Sequence, residues 1–379
     1  MTKLSDRRAE LRRDPLLTEK IIYAVGPQHP SLPAPYMLEV QADGELIEHV
    51  RPDIGYMHRG VEQLCTKRTW AQCSGLLSRT EWLAGSNGDY LLSAAVEEIA
   101  GIEVPQRAQW LRTMVLELSR IASHLFWWGQ LGLEAGAITP IFWAVREREG
   151  VIGLLEELSG HRWHHQWIVP GGVRTDVPQG FIDRVGQVLL NMEDRVHEFE
   201  EFLSDNAIWV NRSELIGVLE PEYALTNGAS GPVLRGSGIV HDLRRDAPYL
   251  KYDELDVRIP VGEFGDVLDR YRIRMMEIQE STRLVRECFN HLADSGEAYR
   301  VEAPVDVPKG EAYVAVEGPR GELGLSAVSE GGPNPARLHL RGPSLYHLFL
   351  LDELCRGYLL ADLFVILGSL DIMVGEVDR

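Results

Sequence analysis

The chain has 379 residues, 45% hydrophobic and 25% charged, the balance of a soluble globular protein with apolar mass for one large domain or two ordinary ones. Its 38 Lys and Arg face 57 Asp and Glu, a formal net charge of −19 that repels phosphate backbones and anionic lipid, which disfavours generic nucleic-acid binding and flat adsorption on an anionic membrane and leaves basic partners open. Cys65, Cys73, Cys288 and Cys355 contain no CxxC pair, so neither a disulfide framework nor a thiolate-held metal or iron–sulfur centre is expected.

Residues 1–18 read as a charged arm without the apolar run of a signal peptide. In the region 19–59, Tyr36–Val40, a turn at Asp43-Gly44 and Glu45–Val50 predict a β-hairpin. From about Gly60 to residue 309 the period becomes helical. Beyond Pro105, residues Leu111, Met114, Val115, Leu118, Ile121, Ala122 and Leu125 make one apolar stripe, and Thr113, Glu117, Arg120 and His124 form a polar row beside it. Further helices are predicted from Ile182 to Leu203 and from Leu268 to Phe289. The last region, 310–379, returns to strands at Tyr313–Val316, Leu325–Val328 and Arg337–Leu340, with a turn around Pro319-Arg320-Gly321. One or two helices then cover Leu345–Leu370. The apolar stretch Leu359–Leu370 is broken by Asp362 and too short to span a bilayer. The pattern predicts an α+β chain, mostly a helical bundle with small antiparallel sheets at its N- and C-terminal ends, one large domain overall.

Motif by motif, spacing alone identifies no chemistry. No GxGxxG occurs, and the glycines Gly228, Gly231, Gly236 and Gly238 read either as a phosphate-binding nest or as a tight loop packed on the core. His161 with His164 or His165 could offer two imidazoles from one helical face, but no further ligands present themselves, and a hydrogen-bonding histidine in a partly buried network is the alternative. Gly26-Pro-Gln-His29-Pro30 is held rigid by its two prolines, which suits an ordinary turn and a loop fixing His29 in a pocket equally well.

Longer ordered motifs carry more. Gly26-Pro-Gln-His-Pro-Ser31, Ile54-Gly-Tyr-Met-His-Arg-Gly60 with Glu62, Val115–Leu125, Gly136–Pro140 with Arg146–Glu149, Pro170–Val173, Leu234–Gly238, Gly321–Gly324 and Gly375-Glu-Val-Asp-Arg379 resemble, from about Tyr23 to the C-terminus, the 49-kDa subunit family of NADH–quinone oxidoreductase, respiratory complex I, which is related to the large subunits of nickel–iron hydrogenases. The resemblance implies a hydrogenase-large-subunit-like fold and a core subunit of an ion-pumping oxidoreductase. The subunit would be peripheral, on the cytoplasmic side of the cell membrane, among an iron–sulfur subunit, other peripheral-arm subunits and membrane-arm subunits. It would bind no cofactor or metal itself, but would form much of a quinone chamber beside the terminal iron–sulfur cluster of a neighbouring subunit. Arg79, in Leu77-Ser-Arg-Thr-Glu81, and His164 match family residues near that cluster, where a cation and a titratable imidazole raise its potential and couple electron gain to a proton. A buried pairing of Arg79 with Glu81 or Glu117 is the structural alternative.

The departures fall at the chamber. Quinone-reducing members carry a His where this chain has Pro33, a Tyr where it has Leu92, and an Asp where it has Glu134. Pro33 and Leu92 donate no hydrogen bond to a reduced oxygen. Tyr90, His58, Tyr36 and His29 are the candidate replacements, although on a helix Tyr90 points about 200° away from position 92. Asp371 and Val377 complete the chamber that the resemblance implies. The expected role is therefore quinone reduction. The alternative is a related assembly subunit that has lost family-type quinone binding and acts as a conformational coupler or scaffold.

Overall fold

In the computed structural model, residues 20–32, 34–204 and 206–379 are described; the charged arm 1–18 and Pro33 lie outside the described residues. The predicted hairpin is present as β2 (Met37–Asp43) and β3 (Leu46–Asp53), and a strand the sequence pattern did not announce, β1 (Lys20–Val25), joins β2 to give an antiparallel sheet of order β1-β2-β3. Leu38, Val40 and Ala42 alternate into the core, as the two-residue period of a half-buried strand requires.

Helices follow: α1 (Val61–Cys65), α2 (Trp70–Leu77), α3 (Ser86–Ala100), the 29-residue α4 (Gln106–Glu134) and α5 (Thr139–Ser159). Gly160, left-handed at φ 77°, ends α5, so His161, His164 and His165 stand in a loop instead of on a helical face. His161 is exposed and His165 buried, and the two share no ligand face. A short ribbon, β4 (Ile168–Val169) and β5 (Gly172–Val173), adds a small sheet within the helical region. Then come α6 (Phe181–Phe199), α7 (Ala207–Ser213), α8 (Pro221–Thr226), α9 (Gly231–Gly236), α10 (Leu243–Asp246) and α11 (Val267–Leu292). The glycine cluster is thus a short helix packed on α11, with Gly231 lying against the backbone of Arg320 and Gly321.

The predicted C-terminal strands are β6 (Gly310–Gly318), β7 (Gly321–Ser329) and β8 (Arg337–Arg341), antiparallel and in sequence order. The apolar segment after them divides into three helices, not one or two: α12 (Pro343–Phe349), α13 (Leu351–Cys355) and α14 (Leu360–Leu370). Gly357, at φ 77°, breaks the run between α13 and α14. A last turn, α15 (Val374–Asp378), is buried and anchors the C-terminus: the Asp378 carboxylate accepts from the backbone N–H groups of Gly55 and Met57 at 2.8 and 2.7 Å.

Helix α4 packs between α5 and α11 and is buried nearly all round, so its polar row meets protein instead of water. The row is satisfied by ions from distant segments. Glu117 receives Arg244 at 3.3 Å, Tyr252 Oη at 2.6 Å and Ser281 Oγ at 2.6 Å, and lies 3.4 Å from Arg120. Arg235 binds Glu277 at 2.6 Å and Glu317 at 2.8 Å, and His124 Nε2 meets Glu277 at 2.8 Å. Asp242 closes the cluster on Arg244 at 2.7 Å. Burial alone would raise these carboxyls. The guanidiniums overcome it for Glu117, Glu277 and Asp242, the last held down at about 2, whereas Glu317, beside Asp242, stays raised.

A buried charge that loses its partner is expensive. Glu277→Ala, which leaves the buried His124 without its carboxylate and removes the shortest of the ion pairs on Arg235, is expected to lower the unfolding free energy by about 3–5 kcal/mol, read by urea denaturation followed by circular dichroism. A loss below about 1 kcal/mol, the size of an ordinary point mutation, would contradict the network's structural role.

Candidate functional site

The C-terminal end of α4 roofs a small cavity of about 160 Å³. Glu134 follows Arg120 at a spacing that returns it to within about 40° of the same helix face, so the row that builds the ionic network also delivers a carboxyl to this cavity. Phe126, Trp127 and Gln130 of α4, Trp82, Tyr36, Arg320 and the segment Leu367 to Val374 complete the wall.

Each polar side chain is placed by a specific local device. Tyr36 precedes β2 in a loop that crosses Gly26; the glycine has φ 102°, and a Cβ there would collide with the Tyr36 carbonyl. The loop is pinned again where the His29 ring stacks on Phe364 of α14, with centroids 5.1 Å apart. His29 therefore supports the loop, its Nδ1 accepting the Ser31 N–H at 3.2 Å, and does not line the cavity. Gly368 of α14 leaves room for Glu134: a Cβ at 368 would overlap Oε2 of that carboxyl. Asp371, left-handed at φ 57°, caps α14 and receives Arg320 at both its carbonyl (2.9 Å) and its carboxylate (3.0 Å).

Three buried polar atoms at this cavity have no partner: Tyr36 Oη, Glu134 Oε2 and Asp371 Oδ2. Lining a cavity, these three atoms are free to bond water or an occupant there. Burial, aided by Asp371 and opposed by the Gln130 hydrogen bond, pushes the Glu134 carboxyl up to about 8, so it holds its proton at neutral pH. Burial, with Glu134 beside it, also keeps the Tyr36 phenol protonated far above its usual range. Behind Arg320, burial pushes Glu81 up to about 8 despite the guanidinium 2.7 Å away. The cavity thus presents the protonated Tyr36 and Glu134 groups beside the Arg320–Asp371 ion pair.

The remaining candidates separate into other places. His58 and Val377 share a wider surface cleft of about 650 Å³ with Glu62, Arg337 and Arg379. The cleft and the cavity both adjoin α15, Val377 lining the first and Val374 the second. Tyr90 and Leu92, expected in the chamber, do not line the cavity: Tyr90 stacks on Tyr249 at 5.7 Å, and Leu92 is buried in the core. The two-residue offset along α3 sends Tyr90 to a face already filled by aromatic packing. Arg79 is exposed and donates to the Gly75 carbonyl, while burial and the Arg79 charge lower the neighbouring His164, whose Nδ1 lies 3.3 Å from the Ser78 carbonyl. The alternative pairing of Arg79 with Glu81 or Glu117 is not formed; Arg320 takes Glu81 and Arg244 takes Glu117.

Sequence reasoning missed Arg320, Trp82, Trp127, Gln130 and Met373. Continuing the polar row of α4 past His124 would have reached the Trp127 and Glu134 end of the helix; Arg320 offers no local signal, because its partners lie far away in sequence. Among the described residues, no group of three or more His, Cys, Asp or Glu side chains is placed to hold a metal ion.

Over residues 134–304 and 298–379 the chain matches the family described as "Respiratory-chain NADH dehydrogenase, 49 Kd subunit". An NADH-quinone oxidoreductase subunit of Bacillus cytotoxicus is 41% identical over 362 residues, 95% of this chain and 99% of that one. The corresponding protein of Bacillus anthracis gives the same figures, 41% over 362 residues. Among solved structures, a chain of the membrane-bound sulfane sulfur reductase, an archaeal respiratory membrane complex, matches with a TM-score of 0.91 at 36% identity and covers 97% of this chain and 100% of that one.

Because Glu134 is raised from 4.5 to about 8, the native state binds more protons than the unfolded chain between those values, and this group's contribution to stability is lost as pH rises through them. Glu134→Gln is expected to flatten the decline between pH 5 and 8 by up to about 1.4 kcal/mol per pH unit, read from urea midpoints across that range. An unchanged slope would show that Glu134 is ionised at neutral pH.

Proposed function

We propose, for a chain that belongs to the family of the 49-kDa subunit of the respiratory-chain NADH dehydrogenase, that it works as an electron-transfer core subunit of a complex I-like oxidoreductase. In this reading electrons arrive from an iron–sulfur cluster in a neighbouring subunit and reduce an acceptor, quinone by family, in the cavity of Tyr36, Glu134 and Asp371. The wider cleft of His58 and Val377 is the approach to it. The observation that carries the reading is the set of three polar atoms without a protein partner that converge on one cavity from the end of α4, the loop before β2 and the cap of α14.

Arg79 and His164 serve the cluster side. An exposed guanidinium beside a half-buried imidazole suits a surface covered by the iron–sulfur subunit, where the positive charge favours the reduced cluster. Among the described residues no helix is long and apolar enough to cross a membrane. Attachment to the cytoplasmic side of the membrane, and coupling to ion translocation, would therefore run through other subunits.

A second reading has its own support. Leu92 replaces the family's phenol, and the matching chain of known structure comes from a complex named for sulfane sulfur reduction. An acceptor other than quinone, or a subunit that only couples conformational change, fits these two observations. Reoxidation of the prereduced complex by a short-chain benzoquinone or by polysulfide separates the readings, and oxidation by neither leaves the coupler.

Arg79→Met and His164→Met are expected to leave assembly intact and to lower the midpoint potential of the neighbouring cluster, measured by redox titration followed by electron paramagnetic resonance. An unchanged potential in fully assembled complex would remove both residues from the cluster's surroundings.

A further inference from the structure

We propose that Cys65 and Cys73 are a thiol–disulfide site: a small peroxide closes the pair, a dithiol reopens it, and the closed form staples α1 to α2 beside the wider cleft. The inference stands independently of the function proposed above.

All four cysteines are free and buried. Cys288 and Cys355 stand on α11 and α13, each without a thiol among the groups acting on it. Cys65 and Cys73 meet. Cys65 is the last residue of α1, Cys73 lies near the start of α2, and residues 66–72 fold back between them. Thr69 caps α2 by accepting the Gln72 N–H at 3.3 Å, and the Cys65 carbonyl accepts the Arg68 N–H at 3.1 Å, so the corner is fixed from both ends. Cys73 Sγ reaches the Cys65 carbonyl at 3.4 Å, and the two thiols lie within hydrogen-bonding distance of each other. That hydrogen bond lowers the Cys65 thiol, against burial and the Glu62 charge, and raises Cys73. The pair therefore divides into a nucleophile and a resolving thiol, the arrangement that lets oxidation stop at a disulfide.

Access runs through α1. This helix of five residues begins at Gly60 with no side-chain cap, and Gln63, Leu64, Lys67 and Arg68 around it are exposed. So short a turn opens locally at a small fraction of the cost of unfolding the chain, which suffices for a molecule the size of peroxide. On its other side α1 lines the wider cleft with Glu62, Gln63 and Thr66, and Glu62 fastens it to β8 by accepting the Leu340 N–H at 2.9 Å. A covalent link from Cys65 to Cys73 thus stiffens one wall of that cleft.

The chemistry balances with one peroxide. The Cys65 thiolate attacks a peroxide oxygen; the S–O bond forms, the O–O bond breaks, and the departing hydroxide takes the proton that the thiol shed. Cys65 is then a sulfenic acid. Cys73 sulfur attacks Cys65 sulfur, forming the S–S bond and breaking the S–O bond, and hydroxide leaves with the Cys73 proton as a second water. Two thiols lose two electrons in all, and the peroxide gains them.

The test treats the assembled complex with hydrogen peroxide, blocks remaining thiols with N-ethylmaleimide, and analyses an unreduced tryptic digest by mass spectrometry. Cleavage after Arg59, Lys67, Arg68 and Arg79 places the two cysteines on separate peptides, 60–67 and 69–79. These are expected to appear joined, with the loss of two hydrogens, and to separate when dithiothreitol precedes blocking. Exposed Met276 serves as dosimeter: the link should form before its sulfoxide, while Cys288 and Cys355 remain thiols. Amide hydrogen exchange over residues 61–73 should slow in the oxidised complex. Cys73→Ala should stop at a Cys65 sulfenic acid that dimedone captures. Maleimide-labelled Cys65 and Cys73 in wild-type complex whose Met276 is already sulfoxide would overturn the proposal, as would sulfinic acid at Cys65 without the link. A link that leaves exchange unchanged would overturn the staple.

Discussion

Glu277, wedged between Arg235 and His124 and sealed from solvent, fixes where three distant parts of the chain sit. A carboxylate in that position is tolerable only with a guanidinium beside it, and the guanidinium in turn needs Glu317 from β6. Through Glu117, Arg120, Arg244 and Asp242 the same demand reaches α4 and α10. Apolar packing would allow α4 to slide or rotate slightly. The ionic cluster does not, because any register shift leaves a buried charge without its partner.

That rigidity is transmitted to the cavity by α11. Besides Glu277, this helix carries Arg270 and Arg274, whose guanidiniums reach the last turn of α14: Arg270 Nε donates to Ser369 Oγ at 2.9 Å and Arg274 Nη1 to the Ser369 carbonyl at 2.9 Å. Cations at a helix C-terminus satisfy its orphan carbonyls and offset its dipole. Arg274 also lies 4.6 Å over the ring of Trp127, whose Nε1 donates to the Gly368 carbonyl at 2.8 Å. One helix therefore positions the end of α4 that bears Glu134 and the end of α14 that bears Gly368 and Asp371. The cavity between them inherits its shape from charges buried elsewhere.

The long helices and the Asp43-Gly44 hairpin were legible in the sequence because their signals are local: a period of 3.6 or 2 and a turn that accepts a left-handed glycine. The polar row of α4 was legible too, but not its burial, since its counter-charges come from residues more than a hundred positions away, such as Glu277 and Arg244. Strand β1 and the division of the last apolar segment into α12, α13 and α14 escaped for the opposite reason: elements of five to eleven residues are too short for a period to emerge. Of the site, Glu134, Asp371 and Tyr36 were within reach as individual residues. Their convergence was not, because it depends on Gly26 and Gly368 yielding space, and a glycine in a sequence does not announce what approaches it.

The most direct measurement is redox-difference infrared spectroscopy of the assembled complex, comparing wild type with Glu134→Gln. A neutral Glu134 gives a carboxylic C=O band at pH 7 that changes when the acceptor is reduced, fades above about pH 8, and is missing from the variant. Identical spectra from the two proteins at pH 7 would mean that Glu134 is already ionised or takes no part. The cavity would then be a structural void instead of the acceptor site.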